Sequence, residues 1–157
     1  MQRKYLTKEQ ALQKLRHYCA YQERSHYEVQ QKLFELGIRK PEQDEIISSL
    51  IEDDYLNEER FAIQFAGGKF RMNDWGRKKI RFALKEKRVS DYNINKALHS
   101  IDEEEYEKTV QSLAEKKYAT LKDEPYLERK KKTTAYLLQK GYELEIINKA
   151  ISYLSEN

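Results

Sequence analysis

Ile94-Asn95-Lys96-Ala97-Leu98 and Ile147-Asn148-Lys149-Ala150-Ile151 are nearly the same five residues, 53 positions apart. The likeness extends backwards from both. Leu84 precedes Arg88-Val89 and Leu137 precedes Gly141-Tyr142, with the same four-residue offset. A fainter copy lies upstream as Leu33, Gly37-Ile38 and Ile47-Ser48-Ser49-Leu50-Ile51, with Arg39-Lys40-Pro41 taking up a few extra residues as a loop. A period of about 50 residues, repeated three times, is the pattern of stacked units too small to bury their own apolar faces. It predicts an all-α protein of three tandem three-helix repeats, spanning 1–54, 55–101 and 102–157, in an elongated, curved molecule. Such an array argues for an extended surface ahead of a catalytic pocket.

Helix signals mark each unit. Thr7-x-x-Gln10 and Ser25-x-x-Glu28 are capping boxes, in which hydroxyl and carboxyl or amide satisfy each other's orphan N–H groups. Leu12, Leu15, Tyr18 and Cys19 then form one apolar face, and Val29, Leu33 and Leu36 the next, stopped by Gly37. Pro41 suits the first turn of a third helix with Ile46, Ile47, Leu50 and Ile51 inward. In the second unit Asn57 caps a helix carrying Phe61, Ala62, Phe65 and Ala66, and Gly67-Gly68 interrupts it as a bend or a close helix approach. Asp74 is placed to cap the next helix, with Ile80, Ala83 and Leu84, and Ser90 or Asp91 the one after. Asp102-x-x-Glu105 opens the third unit, Pro125 starts its second helix and Gly141 ends it.

Charged residues make up 36% of the chain and the mean hydropathy is −0.98, yet 12 Tyr and 5 Phe bring the hydrophobic share to 39%. This suits strongly solvated helices with thin cores rather than disorder. The single Cys19 allows no internal disulfide, and His17, His26 and His99 lack ligand spacing, so neither metal nor cofactor is expected. The N-terminus leads into no apolar signal core and no stretch reaches the ~20 apolar residues of a membrane span, which predicts a cytoplasmic protein. Charge is unevenly placed. Residues 55–101 hold 11 Lys and Arg against 5 Asp and Glu, whereas 1–54 hold 9 against 10 and 102–157 hold 10 against 12. A basic centre points to a polyanionic or acidic partner.

The densest basic run is Lys69–Arg88, and the candidate contact residues are Lys69, Arg71, Arg77, Lys78, Arg81, Lys85 and Arg88. At 100° per residue Arg77, Arg81, Lys85 and Arg88 fall within about 80° on one helix. That ridge matches a row of phosphates or carboxylates. Phe70 and Trp75 are interleaved with it, a pairing that can stack bases, although packing at the helix start is the preferred reading of Trp75. Lys130-Lys131-Lys132 reads as solvating charge. The acids Glu52-Asp53-Asp54 and Asp102–Glu105 sit at helix ends and converge on nothing, and the sequence holds no phosphate loop, nucleophile elbow or triad. No enzyme is expected.

Tyr55-Leu56-Asn57-Glu58-Glu59-Arg60-Phe61-Ala62 is similar to the Leu-Asp-Asp-x-Arg-Phe-Ala signature of the RecX family of bacterial regulators. Gly76-Arg77-Lys78-Lys79-Ile80 with Leu84 resembles that family's Gly-x-x-x-Ile-x-x-x-Leu, and Ser25-x-x-Glu28-Val29-x-x-Lys32-Leu33-x-x-x-Gly37 its first-unit motif. The likeness runs over about residues 10–155. Asn57-Glu58 stands for an acidic pair, Ala83 where Glu is frequent and Arg88 where Gly is frequent, and the third unit departs most. The resemblance implies a monomeric negative regulator that binds the RecA–DNA filament and restrains its extension, ATP hydrolysis and strand exchange, in recombination, repair and the SOS response. The RecA filament is then the partner, with single-stranded DNA inside it as a further contact and no membrane. Asn57, Arg60, Phe61, Gly76, Ile80 and Leu84 become the structural motif residues, and Arg60 pairs with Glu58, Glu59 or the preceding acids. The alternative is a helical module acting directly on DNA.

Overall fold

The computed structural model describes residues 6–155, and among them it contains nine α-helices and no strand. They are α1 (Lys8–Tyr21), α2 (His26–Glu35), α3 (Lys40–Glu52), α4 (Glu58–Asn73), α5 (Arg77–Glu86), α6 (Asp91–His99), α7 (Glu103–Thr120), α8 (Tyr126–Lys140) and α9 (Leu144–Ser155). The all-α repeat fold is as the sequence period predicts.

Helix starts follow local chemistry. Thr7 and Ser25 form complete capping boxes. Asn57 Oδ1 accepts from the Arg60 N–H at 2.9 Å, Ser90 Oγ from Asn93 at 3.3 Å, and Asp102 Oδ2 from Glu105 at 2.9 Å. Each such cap contributes about 1 kcal/mol.

The ends of α2, α5 and α8 are one motif used three times. Gly37, Arg88 and Gly141 take left-handed backbone conformations with φ of 77°, 59° and 100°. The following N–H, of Ile38, Val89 and Tyr142, donates back to the carbonyl of Leu33, Leu84 and Leu137 at 3.0, 3.1 and 3.1 Å. Those following side chains are all buried, giving the apolar contact that accompanies such a helix stop. Arg88 therefore keeps a turn its side chain disfavours, at a cost of roughly 1–2 kcal/mol. Its guanidinium lies 4.4 Å from the Tyr27 ring centroid, which offsets part of that cost.

Four details depart from the sequence reading. Gly67-Gly68 neither bends nor breaks α4, which runs through both. A side chain at Gly67, which is buried, would meet the Arg71 guanidinium at 2.7 Å, whereas one at Gly68 would meet nothing within 4 Å. Asp74 does not cap α5. It ends α4 in the left-handed conformation (φ 57°), with the Asp74 and Trp75 N–H groups returning to Phe70 and Lys69 carbonyls. In α3 the buried residues are Ile46 and Leu50 while Ile47 is half-buried and Ile51 exposed. The first repeat thus aligns one residue earlier than its sequence echo, because Ile46 and Ile47 compete for the same phase. Phe70 is 5% exposed and 5.7 Å from Tyr106, so it belongs to the core and stacks no base.

The chain divides into two compact units whose limits differ from the sequence period. The first comprises Met1–Gln64 with Leu84–Lys96. In it α1, α2 and α3 pack on one another around Ala11, Leu12, Leu15, Cys19, Val29, Leu33, Ile38, Ile46, Leu50 and Leu56. The second comprises Phe65–Ala83 with Ala97–Asn157. There α7, α8 and α9 pack pairwise, and Tyr106, Leu137, Tyr142 and Ile147 are wholly buried. The two five-residue echoes bury the same positions: Ile94, Ala97 and Leu98, and Ile147, Ala150 and Ile151.

Candidate interaction surface

A basic helix is useful for recognition only if its first turn is fixed, because those N–H groups have no partner within the helix. In the second unit they are satisfied from outside α5. Gly76 N–H donates to Lys140 O at 2.8 Å, Arg77 N–H to Tyr106 Oη at 3.0 Å, and Lys78 N–H to Gly141 O at 2.9 Å. The positive end of α5 therefore meets the negative end of α8. This abutment needs both glycines. A Cβ at Gly76 would overlap Gly141 and come within 2.6 Å of Tyr142 N, and a Cβ at Gly141 would lie 2.6 Å from Lys79 N. That is the physical content of Gly76 in the motif, with Ile80 and Leu84 fully buried behind it.

Arg77 completes the junction rather than facing a partner. Its Nη1 donates to Glu143 at 3.1 Å and its Nη2 to Glu103, and the guanidinium stacks 3.8 Å from the Tyr106 centroid. Burial opposes its charge, yet the bonds to Glu143 and Glu103 outweigh this and raise its pKa. Tyr106 in turn donates to Glu143 Oε1 and accepts from the Arg77 backbone, and burial with that Glu143 bond pushes its hydroxyl far up. Tyr142 Oη donates to Asp74 O at 2.8 Å. Reversal of charge at Arg77 would place three carboxylates together, so such a variant reports on folding as well as on binding.

The other candidate cations divide between the units. In the second, Lys78 is exposed and Arg81 half-buried, and both line a cleft of about 770 Å3 with residues of Leu98–Glu103 and with Glu143. The ammonium groups of Lys69 and Lys79 lie 4.9 and 4.7 Å from the Trp75 centroid, so the ring carries two cations of its own chain. Arg71 folds back along α4 over Gly67. In the first unit Lys85 is 3.9 Å from Asp91. Arg88 lies beyond the end of α5 at Glu86 and is drawn onto Tyr27, so it is not a member of a helical ridge.

Arg60 is structural, but not through Glu58 or Glu59. It bonds Glu23 through Nε at 2.5 Å and Asp54 at 3.1 Å, with a further bond to the Asp54 carbonyl. Asp54 is among the preceding acids, whereas Glu23 lies 37 residues away and carries no sequence signal. Phe61 beside it is 5% exposed. Glu58 instead accepts from Ser90 N–H and Asn93 Nδ2 at 3.0 and 2.9 Å, joining the starts of α4 and α6. Cation contacts account for part of the tyrosine surplus. Arg24 and Arg129 each donate Nε to the carbonyl of a tyrosine, Tyr18 and Tyr118, while stacking 3.7 and 3.6 Å from its ring centroid. Tyr27, Tyr55, Tyr92, Tyr106 and Tyr136 carry further cations. Sequence reasoning passed over Phe82, which is 65% exposed on α5. Its signal was available: it falls about 200° from Ile80 and so away from the buried face.

These features define a class, an all-α protein of three-helix repeats with a basic helix fixed at its N-terminus. The sequence model described as RecX, second three-helix domain, matches residues 57–98, and that for the third three-helix domain matches 103–151. The third unit, which departs most from the family motifs, is thus still matched as its third domain. The chain belongs to the RecX family. It is 35% identical over 132 residues to the Regulatory protein RecX of Clostridium perfringens (strain 13 / Type A), covering 83% of this chain and 61% of that protein. It is 27% identical over 139 residues to that of Bacillus mycoides (strain KBAB4), covering 88% and 52%. The chain therefore spans between half and two thirds of the length of these relatives. The crystal structure of RecX from Lactobacillus salivarius superposes with a TM-score of 0.89 at 27% identity, over 96% of this chain and 97% of that one. A second crystal structure, of regulatory protein RecX, shares the fold with a TM-score of 0.84 at 20% identity, over 92% of this chain and 71% of that one. No described helix is long and apolar enough to cross a membrane.

Proposed function

We propose that the protein is a negative regulator of the RecA recombinase that binds the RecA–DNA filament and inhibits its extension, ATP hydrolysis and strand exchange. Membership of a family of regulatory proteins supports the regulatory role. The observation that carries the contact is the locked first turn of α5, whose three leading N–H groups are held by Lys140, Tyr106 and Gly141. A helix fixed in this way presents Lys78 and Arg81 on a backbone that is already ordered, so binding costs only the ordering of the side chains. The contacts are Lys69, Arg71, Lys78 and Arg81 in the second unit and, separately, Lys85 in the first, with Arg77 and Arg88 acting on the scaffold, and the repeats 1–54, 55–101 and 102–157 are the protein's functional divisions.

DNA-dependent ATP hydrolysis by the cognate recombinase on single-stranded DNA, titrated with this protein, tests the reading. Half-inhibition is expected at well under one molecule per recombinase protomer, and a Lys78→Glu/Arg81→Glu variant with unchanged circular dichroism should need at least ten times more. No inhibition by the wild-type protein at equimolar ratio would reject the function. Equal inhibition by the variant would reject the surface.

A further inference from the structure

We propose that the protein self-associates head to tail, the outer flank of α8 of one copy lying in the groove between α7 and α9 of the next. That groove belongs to the second unit and has a volume of about 460 Å3. Val110 and Ala150 are buried along its floor beside the half-buried Ile146. Its rim carries Glu104, Glu107 and Glu115 against Lys108 and Lys149, and Lys108 lies 3.8 Å from Glu104. Setting that pair aside leaves two carboxylates against one ammonium. An apolar floor beneath a net acidic rim fits an amphipathic helix with leucines and cations on one side.

The α8 helix of the same unit is of that kind. It holds five cations against Glu128 alone. Arg129, Lys132 and Lys140 are engaged within the chain, on Tyr118, Glu124 and the Asn73 carbonyl. Lys130 and Lys131 are exposed and, among the described residues, meet no acid. At 100° per residue Leu127, Lys130, Lys131, Thr134 and Leu138 fall within about 100° of one another. Leu127 is 75% and Leu138 44% exposed on that flank. Eleven residues, about 16 Å of helix, separate the two leucines, and the same eleven separate Glu104 from Glu115 along the groove. A second copy is preferred to an unrelated partner because span, leucines and charge all match within one chain. The groove is built without α8, so one copy offers both faces at once. The contact is then heterologous and adds copies in series. About three helical turns bury less than the ~1,200 Å2 of a stable interface, so dilute chains stay single and association sets in as copies are concentrated.

The test is sedimentation velocity of the full chain between roughly 10 µM and 1 mM. The wild-type sedimentation coefficient should rise across that range and pass the value of a dimer. Leu127→Ser/Leu138→Ser removes one face and Glu107→Lys/Glu115→Lys the other. Each variant alone should stay monomeric, with circular dichroism unchanged. Their equimolar mixture should form dimers and stop there, because each partner retains one working face. Adding Lys130→Glu/Lys131→Glu to Glu107→Lys/Glu115→Lys in a single chain exchanges the charges of the two faces and should restore growth. A wild-type chain that is monomeric at the highest concentration would overturn the proposal. So would either single-face variant associating as strongly as wild type, or a mixture that stays monomeric or grows past dimers. None of these measurements involves the recombinase, so their outcome is separable from that of the function proposed above.

Discussion

Removal of a single oxygen tests whether the junction at the start of α5 holds the second unit together. Tyr106 is wholly buried, and its hydroxyl both donates to the Glu143 carboxylate and accepts the Arg77 backbone N–H. Tyr106→Phe keeps the ring, its contact with Phe70 and the stacked Arg77, and deletes both hydrogen bonds. A bond to a charged group contributes roughly 1.5–3 kcal/mol, and a buried N–H left without an acceptor costs roughly 1–3 kcal/mol. Allowing for partial relaxation, the loss is about 3 kcal/mol. Tyr142→Phe is the internal control. Tyr142 is equally buried but makes one neutral bond, to the Asp74 carbonyl, whose loss costs about 1 kcal/mol. For a unit of this size the melting temperature should fall by about 15 °C and about 5 °C respectively. Trp75 is the chain's one tryptophan and lies in the second unit, so its fluorescence reads the transition there. Addition of Glu143→Gln to Tyr106→Phe should cost less than Glu143→Gln alone, since the two share one bond. Equal losses for the two tyrosines, or strict additivity with Glu143→Gln, would refute the role given to this hydroxyl.

Gly76→Ala should destabilise the second unit by about 2 kcal/mol, since its methyl would overlap the Gly141 backbone, and Lys78-dependent inhibition should weaken with it; urea melts and the recombinase ATP-hydrolysis titration check both. Burial alone would raise the Glu58 carboxyl, but hydrogen bonds from Asn93 and Ser90 and the nearby His26 outweigh it and hold the pKa below 4.5. A carboxylate lowered on folding stabilises the native state above its unfolded pKa and loses that contribution as pH falls through the folded value. Glu58→Gln should therefore flatten the loss of stability below pH ~4.5 relative to wild type, as read by melting temperature against pH. Burial pushes the Cys19 thiol up to about 11. At pH 8 its native reaction with a disulfide reagent should be about 100-fold slower than in urea, and the onset of reaction on denaturation should mark unfolding of the first unit.

The fold was legible because it rests on local chemistry. Thr7, Ser25, Asn57, Ser90 and Asp102 begin helices with side chains that bond within three residues, and Gly37 and Gly141 end them by permitting one backbone angle. Where two local signals coincided, the reading slipped. Asp74 serves as readily for a helix end as for a helix start, and the adjacent isoleucines at 46 and 47 left the register open by one residue. The surface was legible only in composition. Arg77 and Lys78 are indistinguishable as sequence neighbours, and what separates them is Glu103, Glu143 and Tyr106, brought to Arg77 from 26 to 66 residues away. Arg60 meets Glu23 in the same manner. Long-range ion pairs leave no periodic trace, so cations that hold the scaffold and cations that face outward read alike.

The two compact units part the chain within α4, α5 and α6, between Gln64 and Phe65, Ala83 and Leu84, and Lys96 and Ala97. The sequence repeat and the packing unit are thus out of phase. Excising residues 55–101 as a cassette would take Arg60 from Glu23 and Arg77 from Glu143 in one cut. A circular permutant or chimera built at the repeat joints near Tyr55 and Ile101 would likewise inherit halves of two cores. For engineering, the natural modules are discontinuous: each is one end of the chain completed by a loan from the middle.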